Sequence, residues 1–197
     1  MRRRGRPPLP RGVWSIDDLS IEAPSEAVLD TSFVVEAFIV SQPLHESCLA
    51  YLLRLVEAET NIVFNHLLEI ELYEATFQLA LKERHPKDWK RFRHDGRARP
   101  RANRLLTDVA SAWQTVLEYV DHERLQLADV ESLVPDLMTR YGLASYDAIH
   151  VATAIASGAR AVVTLDAGFA AVPANELALY VDPSRIAVCR SRRARPR

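Results

Sequence analysis

Cysteine is nearly absent: Cys48 and Cys189 are the only two in 197 residues, far apart and outside any Cys/His group at zinc spacing. A disulfide framework and a structural zinc are therefore excluded as the basis of the fold. Lysine is almost as scarce, at Lys82, Lys87 and Lys90 alone. No apolar run approaches the ~20 residues that span a bilayer. The opening M-R-R-R-G-R-P-P-L-P has the charge of a secretory signal with no apolar stretch after it. These absences lead to the expectation of a cytoplasmic protein in a reducing compartment, without a membrane span. Internal repeats are missing too, and 48% hydrophobic residues are enough for one domain to build its core unaided.

What is present is charge of both signs, kept apart. The net charge of −1 conceals five Arg in residues 1–11, five in 190–197 and ten basic residues in 82–104, the last set against only Glu83, Asp88 and Asp95. The rest of the chain carries five basic residues against 23 acids. An acidic body repels RNA unless divalent cations bind it, while Arg-rich segments attract phosphate by releasing counterions. The pattern fits a metal-dependent enzyme acting on nucleic acid.

Along the chain, residues 1–25 read as a basic, flexible extension with a short docked piece around 14–21. Short apolar runs at 27–29, 62–64, 161–165 and 177–181 read as strands, with a further extended piece at 125–127. Between them lie helical patterns at 32–40, 44–59, 66–81, 104–120, 130–141 and 148–156, with Pro135 placing a late start or kink in the fifth. Residues 82–104 contain Pro86, Gly96 and Pro100, so no single helix can cross them. Within them K-D-W-K-R-F-R-H interleaves Trp89 and Phe92 with cations, either to meet unpaired bases and phosphates or as the packing face of a surface helix. Residues 184–197 read as an Arg-rich tail. Strands alternating with helices, without a hairpin signal, predict an α/β fold: a parallel sheet of about five short strands with helices on both faces.

In such a sheet the strands' carboxyl ends line the edge that binds ligands. The first run ends on Asp30 and the third on Asp166, while Asp147 stands just before the helix preceding Asp166. Each acid alone can be an ordinary cap or turn residue. Together they meet the needs of phosphodiester hydrolysis, in which divalent cations held by carboxylates activate water and neutralise developing charge. His150, one turn after Asp147, is expected to pack the helix.

The motifs V-L-D-T-S-F-V-V, Y-D-A-I-H-V-A-T-A and V-V-T-L-D-A-G-F resemble the PIN-domain family, and more narrowly the VapC toxins of bacterial toxin–antitoxin pairs, over about residues 28–181. The resemblance implies a nuclease domain at 26–183 with a basic insertion at 82–104. It implies that Asp30, Asp147 and Asp166 ligate Mg²⁺ or Mn²⁺ and that Glu71, on the helix after the second strand, ligates or orients the attacking water. Glu74 is the alternative to Glu71 and Glu69 a distant third. Ser32 and Thr164 would hydrogen-bond the carboxylates or a metal-bound water. RNA is the implied substrate, with Arg84, Lys90, Arg91 and Arg93 of the insertion as candidate contacts. A homodimer and an inhibitory antitoxin are the implied partners. The sequence departs from the family in its basic N-terminal extension, in the long interval from Glu71 to Asp147, and in Leu165, where an Asn often precedes the last Asp. The alternatives are a PIN nuclease of RNA processing and a catalytically silent, RNA-tethering module. A phosphohydrolase or phosphoacceptor on a similar sheet, which would need a second acid two residues after the first or a Lys near the pocket, is disfavoured, because position 32 is Ser and the only lysines are Lys82, Lys87 and Lys90.

Overall fold

The four short apolar runs become strands buried on both faces. In the computed structural model, which describes residues 12–194, the strands are β1 (Val13–Ser15), β2 (Glu26–Leu29), β3 (Asn61–Asn65), β4 (His122–Leu125), β5 (Ala161–Thr164) and β6 (Ala178–Val181). The Arg-rich stretches 1–11 and 195–197 lie outside the described residues. All six strands run parallel in the order β1-β6-β5-β2-β3-β4.

The helices are α1 (Thr31–Phe38), α2 (His45–Glu57), α3 (His66–Arg84), α4 (Arg99–Tyr119), α5 (Leu127–Val130), α6 (Val134–Tyr141), α7 (Ser145–Ser157) and α8 (Pro183–Ala194). Strand side chains alternate between two cores, as the two-residue period of a strand requires. Val28, Val63, Val162 and Leu179 face one that includes Val151 and Ala152 of α7 and Cys189 of α8. Ala27, Leu29, Ile62, Phe64, Val163 and Tyr180 face the other, with Phe33, Tyr51, Leu72 and Trp113 from α1 to α4. The small residues Ala148, Ala152 and Ala154 are fully buried, so α7 can lie close on the sheet. Left-handed glycines end α6 and α7, Gly142 at φ +67° and Gly158 at φ +81°, a conformation that costs other residues a Cβ clash. Among the described residues no helix is long and apolar enough to cross a membrane.

The sheet has six strands where about five were expected, because residues 13–15 form β1, pairing Val13 with Leu179 and Ser15 with Val181. β4 begins at His122, three residues earlier than the extended piece read at 125–127. It is an exposed edge strand with His122, Glu123 and Arg124 outward, and charged edges carry no apolar alternation. α4 starts at Arg99, ahead of the expected 104, with Pro100 in its first turn, where its missing N–H costs nothing. Pro135 plays the same part at the start of α6.

The described part of the Arg-rich stretch, 184–194, is helical, and three of its arginines donate to carbonyls. Arg190 donates to Val13 O, Arg192 to Ala167 O, and Arg193 to Gly12 O and Leu177 O. α8 thereby ties the β1–β6 edge of the sheet to the short 3₁₀ turn after Asp166.

Candidate active site

The strand order reverses at β2. From it the chain moves to β3 and β4 on one side, while β5 and β6 fill the other. Such a reversal opens a crevice beyond the carboxyl ends of the two central strands. Asp30 follows β2 directly, and its amide donates to Val163 O of β5 at 2.9 Å. Thr164, the last residue of β5 and fully buried, donates its hydroxyl to Asp30 Oδ2 at 2.7 Å. The Ser32 hydroxyl also donates to Asp30 Oδ2 and in turn accepts from the Leu165 amide at 3.1 Å. The Asp166 amide donates to Thr164 Oγ1 at 2.9 Å. Ser32 and Thr164 thus join both acidic strand ends into one network, with Asp30 only 6% exposed at its centre.

Asn65 ends β3 and caps α3 by accepting from the Leu67 amide, which sets the phase of the helix so that Glu71 reaches the same crevice. Glu71 Oε2 accepts from Thr31 Oγ1 at 3.0 Å and lies 2.8 Å from His150 Nε2. His150 is 2% exposed and also stands 3.8 Å from Asp30 Oδ1. The imidazole that sequence reading assigned to packing is therefore the buried bridge between two carboxylates. The i, i+3 spacing from Asp147 already put it on the right helix face; what was missing was any sign that Glu71 would meet it.

Asp147, in the first turn of α7, has its carboxyl pushed up to about 6, first by burial and then by the negative charges of Asp30, Asp166 and Glu71, with His150 opposing. Burial alone pushes His150 down, but its hydrogen bond to Glu71 and the charges of Asp30, Glu71 and Asp147 outweigh that, and the net displacement is upward. Asp166 is exposed, and its Oδ1 accepts from the Gly168 amide at 2.7 Å. A Cβ at position 168 would lie 3.2 Å from that oxygen, so the glycine leaves the carboxylate its place.

The structure brings Asp30, Glu71, Asp147 and Asp166 together, and leaves the other two glutamates elsewhere. Glu69 faces His66 and Arg124 at 2.8 and 3.0 Å. Glu74 is held by Arg93 at 2.9 and 3.0 Å and by Gln78. Arg93 takes both Glu74 oxygens, so Glu74 does not stand in for Glu71 in the cluster. The insertion's cations are divided likewise: Arg84 pairs with Asp95, whereas Lys90 and Arg91 are exposed on the 3₁₀ turn Trp89–Phe92. Phe92 stacks on His85 with ring centroids 4.0 Å apart, and Trp89 is half-buried with Phe92 exposed, so the two rings lie against the end of α3 without entering a core.

Among the described residues no group of three His, Cys, Asp or Glu is arranged to hold a metal ion by itself. The donors that do gather are carboxylate oxygens, which suit a hard divalent cation, and Mg²⁺ keeps several of its own waters. Burial and mutual repulsion together raise Asp147, and the repulsion is what such a cation relieves. The set fits a hydrated ion held through few direct bonds, and does not form a closed cage.

Thr164 offers a direct check on the network. Thr164→Val keeps the shape, removes a donor from buried Asp30 and removes the acceptor of the Asp166 amide, so it should cost about 2 kcal/mol of stability. The urea midpoint measures it, with Thr164→Ser close to the parent. A valine variant as stable as the parent would mean that the hydroxyl does not hold the carboxylate.

A parallel α/β sheet with an acidic crevice at its switch point is an architecture in which ligands bind beyond the carboxyl ends of the strands. The PIN-domain model matches residues 27–175, and the chain belongs to the PIN-domain family. The fold is generally that of a nuclease, and all four gathered acids fall within the match. β1, β6 and α8 lie outside it. No curated protein matches the chain.

Proposed function

We infer that the protein is a metal-dependent endoribonuclease of the VapC toxin type, held in check by a cognate antitoxin. The observation that supports this most is the convergence of Asp30, Glu71, Asp147 and Asp166, whose charges add to burial in raising Asp147 to about 6. Asp30, Asp147 and Asp166 would hold Mg²⁺ or Mn²⁺, which when bound activates water and neutralises charge on the phosphate oxygens. Ser32 and Thr164 orient Asp30. Glu71 has Oε2 taken by Thr31 and His150, which fixes its carboxylate and leaves Oε1 to accept from the attacking water.

The toxin reading rests on the three motifs and on the acidic crevice, which suits a basic antitoxin tail. Exposed Ile70 and Tyr73 on α3 and Tyr146 on α7, at 50%, 40% and 51% exposure, supply apolar surface for a homodimer or an antitoxin. A small gene immediately upstream separates a toxin from an RNA-processing nuclease. The activity is tested by incubating partner-free protein with a mixed RNA pool in Mg²⁺, Mn²⁺ or EDTA. Cleavage that requires the cation is the expected result. An intact fold that cuts no RNA under any of these conditions leaves a tethering module instead.

A further inference from the structure

Beside the acid cluster a groove of about 730 Å³ opens between α1, α3 and α8. Thr31, Ser32 and Asp166 line it, so it is continuous with the crevice, and Lys82, Arg185 and Arg192 line it too. Its volume lies within the ~300–1,000 Å³ of sites that enclose small ligands. The charges in it are unevenly committed. Its two acids have donors already: Glu36 Oε2 accepts from the Leu44 amide at 2.8 Å and Asp166 Oδ1 from the Gly168 amide at 2.7 Å.

Among the described residues its three cations enter no ion pair, whereas Arg84, Arg93, Arg101, Arg124 and Arg140 all do. Arg192 gives one donor to Ala167 O at 3.0 Å, which orients the guanidinium and leaves its other N–H groups for a ligand. Lys82 lies 5.1 Å from the Trp89 ring centre, so the groove runs on to the basic insertion. Apolar side chains such as Leu44 and Val188 form the remaining wall.

We propose that this groove is the track for a single-stranded RNA, with Lys82, Arg185 and Arg192 taking successive phosphates and delivering the strand to the acids. Three cations outside ion pairs against two acids leave the groove with a net positive charge, which favours a polyanion. Single strands bind in charged grooves that follow the backbone while bases lie on the wall, whereas a duplex keeps its bases stacked away from such a wall. Two of the three cations come from α8, which lies outside residues 27–175. It rests on the nuclease reading for its substrate, but binding can be read without cleavage.

The test uses the full chain and a fluorescent RNA of about 12 unpaired nucleotides, in EDTA, with affinity followed by anisotropy from about 50 to 200 mM salt. The variant is Lys82→Ala with Arg185→Ala, both exposed and outside ion pairs, with a melting curve to certify the fold. Affinity should fall about tenfold, and the slope of log K against log salt should lose about 1.4, or ~0.7 per phosphate contact of a single strand. An unchanged slope and affinity, or no RNA binding by the unaltered protein at the lowest salt, overturns the proposal and leaves the groove to a protein segment. Cleavage of the RNA pool in Mn²⁺ judges the nuclease reading separately: a protein that cuts RNA but keeps its slope in the variant refutes the track alone.

Discussion

Asp147→Asn should abolish RNA cleavage, by about 10³-fold or more, and at the same time make the metal-free protein more stable. The first effect follows because asparagine keeps the shape but loses the negative charge that a cation or a proton needs at this position. The second follows from the raised carboxyl. Asp147 titrates near 6, lifted first by burial and then by Asp30, Asp166 and Glu71, so its ionised form strains the folded state more than the unfolded one. Between about pH 4 and pH 6 the folded protein binds the extra proton, and stability falls as pH rises through that window. The asparagine variant escapes this cost. Its advantage should be complete above about pH 6, about 1 kcal/mol once solvent screening of a half-exposed site is allowed for, and gone below about pH 4. Single-turnover cleavage and urea midpoints at pH 7.5 and 4 measure both sides. A variant that loses activity and stability together would mean that Asp147 is a structural cap of α7.

Loss of function with gain of stability is the signature of a site whose charges are assembled for a ligand, at the fold's expense. The same assembly decided what could be read from the sequence. Asp30 and Asp166 were legible because β2 and β5 are continuous apolar runs that end on an acid, and a parallel sheet sends both ends to one edge. Glu71 was legible only through the family motif: Glu69, Glu71 and Glu74 share one helix, and only the cap at Asn65 and the pairing of Glu69 with Arg124 and Glu74 with Arg93 separate them. β1 was hidden because three residues of modest hydropathy among Arg, Pro and Asp give no period, and its reason to be a strand is the open edge of β6. β4 was displaced because a charged edge strand lacks alternation.

The arginines of α8 misled in a different way. Composition marks Arg-rich ends as phosphate binders, yet Arg190 and Arg193 are turned onto carbonyls of Gly12, Val13 and Leu177. A guanidinium is as good a clasp for backbone as for phosphate, and counting charges does not say which it grips. The exposed Arg185 and the partly engaged Arg192 are what remains for a ligand.

His150→Leu should reach furthest through the cluster. Leucine fills most of the space but removes the one cationic group between Glu71 Oε2 at 2.8 Å and Asp30 Oδ1 at 3.8 Å. Two carboxylates, one of them almost fully buried, are left facing each other without a counter-charge. Breaking a buried pair in this way costs about 3 kcal/mol, more than removing one hydroxyl from the same network. The pH dependence separates this from a simple packing defect. His150 is displaced upward because Glu71, Asp30 and Asp147 outweigh the effect of its burial, so the folded protein holds its imidazolium where the unfolded chain has begun to release it. That contribution is fully present below about pH 6.5 and is lost as pH rises through the folded value above it. The deficit of the leucine variant should therefore be largest in mild acid and shrink toward alkaline pH, whereas a cavity would cost the same at every pH. Urea midpoints of the two proteins from pH 5.5 to 9 measure the difference. A constant deficit would return His150 to the packing role that the alanine-rich helix first suggests.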